Sequence, residues 1–359
     1  MLPPIDAAPV THTNLVYNQS VMLLFIITLK RPCTSHRFQV TIQQQISGVF
    51  IIMLAFLSRH SSILLILAAI SGFLTPQAST AIFPYLPYIL FFLMLFTLLG
   101  IQQKTLIRLL CKKRIWRYGL FHTLMMTVLS CGLGYLLGAS GDLLLAISGI
   151  AATGSLFATP AIARSVGLDV LEAMAMTITS TLLMPICLYI NLMIFQEGSF
   201  TLDLDLYLQR LLIFIVCPML FSAFVYHYTP HDLLQHIHSK ISQITIVLVF
   251  AFPFGLISPF RTLFNDSLEK ALTYLLIATT ICVLYFLAGF ISFRKQGSNA
   301  ALLVAITSAN RNVLLTFTVA GSALGPDFVL LLGALQLPSY ALPILVRFLN
   351  RHLIPQPAN

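Results

Sequence analysis

From residue 61 to residue 347 the chain is a succession of apolar runs, each close to the length of a bilayer-crossing helix, separated by short polar breaks. A spanning helix needs ~20 mostly apolar residues, so the runs predict spans near 61–75, 82–101, 118–138, 142–163, 170–195, 207–226, 241–258, 271–293, 299–320 and 327–347. Apolar residues make up 58% of the chain and charged residues only 9%, with a mean hydropathy of +0.92, which places it outside the range of soluble domains. The expected fold is an all-α integral membrane protein with ten transmembrane helices.

Ahead of the first span, VMLLFIITL (21–29) and ISGVFIIMLAFL (46–57) are each too short to cross alone. Residues 1–57 therefore read as a partly interfacial N-terminal extension, 58–350 as the membrane domain and 351–359 as a tail. A signal peptide over 1–35 is the other reading, and Pro3, Pro4 and Asp6 stand where a basic n-region would be.

Basic residues test the span order, because they collect in the short loops of the cytoplasmic side. Ten spans put 16 of the 20 Lys and Arg on one side, including Lys104, Arg108, Lys112, Lys113, Arg114 and Arg117. The other side receives Arg210, Arg261 and Lys270, and Arg311 alone falls within a span. Both termini are therefore expected in the cytoplasm, with the protein in an inner or plasma membrane. The same asymmetry accounts for the net charge of +9 without a nucleic-acid partner. The expected partners are the bilayer and a small solute.

All eleven acidic residues fall in loops or at span ends, so no carboxylate sits at mid-membrane to bind Na⁺ or carry a proton. The six cysteines have no CxxC spacing, and His231, His236 and His238, in the expected loop HDLLQHIHSK, read as an accidental interfacial cluster rather than a metal site. No HExxH, intramembrane acid pair or Ser/His constellation points to an enzyme.

Two spans depart from plain apolar helix. GIAATGSLFATPAIARSVG (149–167) carries Gly149, Gly154 and Pro160, and TSANRNVLLT (307–316) carries Arg311 between Asn310 and Asn312. Proline predicts a kink or opening just before residue 160, and the asparagines can bond backbone groups freed at an unwound point. These are the fourth and ninth spans, one in each five-span half. An odd number per half inverts the second repeat, and inverted repeats with a discontinuous helix in each half point to a secondary transporter with its site at the midplane.

At RHSSILLILAAISGFLTPQ (59–77), ATPAIARSVGLDVLEAMAMTITSTLLMP (158–185) and SANRNVLLTF (308–317) the chain resembles the bile acid:sodium symporter superfamily. The resemblance covers roughly 58–350. It implies two inverted five-helix repeats with helices 4 and 9 broken and crossing, a core of helices 3–5 and 8–10, a panel of helices 1, 2, 6 and 7, and alternating access between them. Sodium-coupled members carry Glu-x-Gly-x-Gln-Asn in the ninth helix; here Thr307, Ala309, Arg311 and Asn312 occupy those places, and Thr177 matches a hydroxyl ligand of the fifth helix. A guanidinium offers donors only, and at 4 Å and an effective dielectric of ~20 it repels a second unit charge by ~4 kcal/mol, which argues against Na⁺ beside it. A second Na⁺ site using Thr177, Thr181 and backbone carbonyls stays open; no other cofactor is implied.

Arg311 has three readings: a pin for carbonyls freed by the crossing, a stand-in for the charge of sodium, and an anchor for an anionic substrate. The candidate binding residues are Thr153, Ser155, Thr159 and Pro160 in the fourth span, Thr177, Ser180 and Thr181 in the fifth, Ser308, Asn310, Arg311 and Asn312 in the ninth, and Gln336 and Ser339 in the tenth. For any single Ser or Thr, bonding back to its own helix is the competing role. The expected function is alternating-access transport of a small organic anion or bile-acid-like amphipathic acid. A Na⁺-coupled symporter and a non-transporting ligand sensor on the same fold are the alternatives. Arsenite-efflux permeases share the plan, but the cysteine expected in their fourth helix has no counterpart between Gly149 and Gly167.

Overall fold

The computed structural model describes residues 61–99, 103–139, 141–195 and 203–353. The expected N-terminal extension lies outside the described residues, as do positions 354–359 of the expected tail. In chain order the helices are α1 (Ser61–Leu74), α2 (Pro76–Leu99), α3 (Gln103–Leu110), α4 (Lys113–Leu136), α5 (Gly141–Ala152), α6 (Thr159–Ser165), α7 (Val170–Phe195) and α8 (Leu204–Tyr228). There follow α9 (His231–Leu256), α10 (Ser258–Asp266), α11 (Leu268–Phe293), α12 (Ser298–Ala309), α13 (Val313–Ala320), α14 (Gly325–Ala334) and α15 (Gln336–Leu353). An all-helical chain is what a bilayer demands, because a helix satisfies its own backbone donors and acceptors where water is absent.

Among the described residues seven segments are long and apolar enough to cross a membrane: Pro76–Leu99, Lys113–Leu136, Val170–Phe195, Leu204–Tyr228, Val247–Asp266, Leu268–Gln296 and Gly325–Phe348. Each overlaps a predicted span, the largest shift being at Val247–Asp266 against the expected 241–258. The predicted first, fourth and ninth spans are represented by shorter apolar helices, Ile63–Leu74, Gly141–Ala152 and Ser298–Ala309. The fourth and ninth are short because each is interrupted: helix stops at Ala152 and resumes at Thr159, then stops at Ala309 and resumes at Val313.

The chain opens just before Pro160, as expected: helix is lost from Thr153 to Ala158, and Pro160 sits in the first turn of α6, where its missing N–H has no helical partner to lose. One local expectation needs correction. HDLLQHIHSK is not a loop but the opening of α9, which starts at His231 behind Pro230 and meets no helix breaker before Pro253. The side chains of His231, His236 and His238 lie outside the described ones.

Packing follows the solvent. Large apolar side chains face outward, among them Leu136, Leu137, Met193 and Leu276. The interior holds large groups such as Tyr118, Phe157 and Tyr285, and where helices cross most closely it uses small residues that let their backbones approach. In α7 every residue from Ala173 to Thr181 is buried, a stretch of Ala, Met, Thr, Ile and Ser enclosed on all sides. At Gly289 of α11 an added Cβ would lie 3.0 Å from the Cα of Ala305 in α12, and at Gly72 of α1 it would lie 2.1 Å from the carbonyl oxygen of Phe254 in α9.

Gly72→Ala should therefore push α1 from α9 and cost about 1–3 kcal/mol, read as a lowered apparent Tm in detergent. Gly132→Ala, where the new Cβ meets nothing within 4 Å, should be neutral or slightly stabilising.

Candidate functional site

The two interruptions meet. Leu156 N–H donates to Asn310 O at 2.9 Å and Asn312 N–H donates to Gly154 O at 2.8 Å, so Ser155 and Arg311 form an antiparallel bridge. Backbone opened in one helix is thus partly satisfied by backbone opened in the other, without water. The approach requires glycine at 154, where a Cβ would stand 2.9 Å from both Cα and Oγ1 of Thr181 in α7.

Side chains finish the caps. Asn310 Nδ2 donates to Ile306 O at 3.0 Å, closing the end of α12, and Asn312 Oδ1 accepts from Leu315 N–H at 3.3 Å, opening α13. Ser155 N–H donates to Ser180 Oγ at 2.9 Å, Ser155 Oγ donates to Thr307 O at 3.0 Å, and Thr159 Oγ1 lies 3.4 Å from Ser155 Oγ. Ser180 Oγ donates to Thr177 O at 3.0 Å. The Thr177 hydroxyl bonds Ala173 O at 2.9 Å and the Thr153 hydroxyl bonds Ile150 O, both within their own chain segments. Pro160 is buried in α6 and presents no polar group. Thr181 Oγ1 and Ser308 Oγ are buried without a hydrogen-bond partner.

Arg311 is 5% exposed, and its Nη1 donates to three carbonyls: Ala151 O at 2.9 Å, Thr153 O at 2.9 Å and His122 O at 3.0 Å. The first two lie where α5 ends and its ladder stops. The third comes from α4, whose turn Phe121–Met125 is wound as a π-helix, a distortion that redirects carbonyls away from the regular ladder. His122 Nε2 donates to Thr153 O at 3.1 Å, since that carbonyl can only accept, and Tyr118 Oη lies 2.9 Å from His122 Nδ1. The guanidinium carbon stands 4.2 Å from the centroid of Tyr285, whose hydroxyl accepts from Ser130 Oγ at 2.7 Å. Among the described residues Arg311 has no carboxylate partner. A carbonyl cage and an aromatic face hold the charge instead. Charge-assisted hydrogen bonds contribute about 1.5–3 kcal/mol each, enough in sum to offset the ~3 kcal/mol or more that a mid-membrane cation costs.

His122, Tyr118 and Tyr285 were not among the sequence candidates. The available signal was a histidine inside the predicted span 118–138; nothing marked the two tyrosines.

Asn310, Arg311 and Asn312 also line a cavity with Gln336 and Ser339, walled by Leu156, Phe252, Leu256, Leu335 and Tyr340. Its volume is about 20 Å³, room for a single water, so the cleft is closed to any organic solute in this conformation. Arg311 Nε and Nη2, Asn310 Oδ1 and Asn312 Nδ2 are buried without partners. Gln336 Nε2 is occupied by Leu332 O at 2.6 Å. The sequence candidates thus divide into residues at the crossover (155, 159, 180), caps that also wall the cleft (310, 312), the arginine, further cleft wall (336, 339), hydroxyls bonded back within their own segments (153, 177), and residues whose side chains have no hydrogen-bond partner (160, 181, 308). No family model and no curated protein matches the chain.

Arg311→Met should leave the buried carbonyls of Ala151 and His122 without this donor, at about 1–3 kcal/mol each, and that of Thr153 with His122 alone, and appear as a large fall in apparent Tm or in folded yield. Arg311→Lys should recover part of the loss, because an ammonium reaches carbonyls as a point charge but lacks the planar fork.

Proposed function

We propose that this protein is a secondary transporter of a small organic anion, bile-acid-like amphipathic acids included, working by alternating access with Arg311 in the place of a mobile cation. One observation carries the reading: a single guanidinium nitrogen shared among three main-chain carbonyls at the meeting point of two interrupted helices. Such a ring of carbonyl oxygens is what a bound Na⁺ would ask for, and here a covalently attached cation occupies it.

The architecture proposed is ten spans in two inverted five-helix repeats, as in the bile acid:sodium symporter superfamily, with both termini cytoplasmic in an inner or plasma membrane. The reciprocal bonds Leu156 N–H to Asn310 O and Asn312 N–H to Gly154 O support it, since an antiparallel bridge has local two-fold symmetry and an inverted repeat calls for a two-fold axis in the membrane plane. The closed cleft beside the crossover supports a site between two bodies that must separate to admit solute. With Nη1 fixed, Nε and Nη2 remain as the edge of the guanidinium that pairs side-on with a carboxylate.

A fixed charge cannot be released down a gradient. Uptake or counterflow in proteoliposomes should therefore proceed without Na⁺, and Arg311→Gln should weaken substrate affinity by about tenfold or more, the scale of one lost charge-assisted contact. Strict Na⁺ dependence that persists in Arg311→Gln with affinity unchanged would refute the role given to the arginine. Specific ligand binding with no flux under any gradient would favour the sensor reading instead.

A further inference from the structure

Between α2 and α4 the chain does not simply turn; it forms α3, tied beneath the bundle by Gln103 Nε2 donating to Ser222 Oγ at 3.2 Å and by Leu106, which is buried. Its opposite side is exposed at Lys104, Ile107, Arg108 and Cys111, spaced as one helix face. The same pattern continues past the bend at Lys112 into the first turns of α4, where Lys113, Trp116, Arg117 and Leu120 are exposed at the same spacing. Basic and large apolar side chains therefore alternate along the exposed side of both segments, an outward stripe in two parts.

Such a mixture is unusual for either water or lipid alone. A face meant for water would leave out Ile107, which is 59% exposed, and Trp116, which is 41% exposed; a face meant for acyl chains would leave out the bases. It suits the headgroup layer, where indole and aliphatic groups rest on the acyl boundary while Lys and Arg reach phosphates. No acidic residue occurs between positions 100 and 120 to compensate. Of the nearby carboxylates, Glu172 pairs with Arg114 at 2.5 Å and Asp169 caps the N-terminus of α7 through Leu171 N–H and Glu172 N–H. Among the described residues Lys104, Arg108, Lys113 and Arg117 form no ion pair with an acid, whereas Lys112 lies within the field of Glu172. Trp116 is held at the bend, its Nε1 donating to Leu110 O at 2.8 Å, so its indole has a fixed seat in the stripe.

We propose that this stripe is a binding site for the headgroups of anionic phospholipids, with Lys104, Arg108, Lys113 and Arg117 holding the phosphates and Ile107 and Trp116 resting against the acyl chains. The proposal needs only the membrane location of the chain and not its transport activity.

Trp116 is the single tryptophan of the protein and makes the test direct. The full chain is reconstituted in phosphatidylcholine bilayers carrying brominated phosphatidylglycerol or brominated phosphatidylcholine, and quenching of Trp116 gives the association of one lipid relative to the other. Electrostatic attraction at several bases predicts a preference for the anionic lipid of about threefold or more at low ionic strength, falling toward parity in ~1 M salt. The variant Lys104→Gln/Arg108→Gln/Lys113→Gln/Arg117→Gln should show parity, with quenching by brominated phosphatidylcholine unchanged. The variant Arg164→Gln/Arg294→Gln/Lys295→Gln, which removes bases of the same predicted face outside the stripe, should keep the preference. Parity in the native protein overturns the proposal, as does an equal loss in both variants. If the first variant is not recovered folded, the salt titration of the native protein decides: a preference indifferent to salt overturns it.

Discussion

A buried cation with no acid beside it is tolerable only if dipoles replace the missing charge, and the centre of this protein is organised to supply them. The end of α5 delivers Ala151 O and Thr153 O, the π turn of α4 delivers His122 O, and all three converge on Arg311 Nη1. Those carbonyls are available because their helices depart from the regular ladder, which would cost free energy in an apolar interior without the guanidinium. Charge and break each make the other affordable.

Around this point the packing is set by what can be left out. Gly154 lacks the Cβ that would strike Thr181, and the wholly buried stretch of α7 places Thr177, Ser180 and Thr181 against the fourth-span break. Ser180 spends its hydroxyl on the crossover, accepting from Ser155 N–H and donating to Thr177 O. Much of the polarity that resembles a ligand set is therefore structural. The unpartnered atoms, Arg311 Nε and Nη2 with Asn310 Oδ1 and Asn312 Nδ2, lie on residues that border the closed cleft.

On the proposed transport reading, a permanent cation at the crossover uncouples solute movement from a sodium gradient but keeps the electrostatic conditions for holding an anion. The mixed stripe of α3 and early α4 addresses a different need, the seating of a basic face among lipid phosphates. Both uses follow from the scarcity of charge in the chain, which makes each placement consequential.

The apolar runs made the seven long spans legible, because hydropathy over ~20 residues is a local property. They also marked the fourth and ninth spans as interrupted and Asn310 and Asn312 as caps. HDLLQHIHSK was misread as a loop, since polar composition says little about helicity where no breaker intervenes. Pro160 marks the opening that ends just before it, because a proline fits the first turn of the resumed helix. The sequence alone determined that a cation lies deep in an apolar chain and that backbone must open near it. Only the tertiary structure decided that the two openings pair with one another and that His122, Tyr118 and Tyr285, far from Arg311 in the chain, complete its surroundings. Hydrogen bonds to main-chain carbonyls leave no mark on residue identity, so that convergence is invisible until the helices are packed.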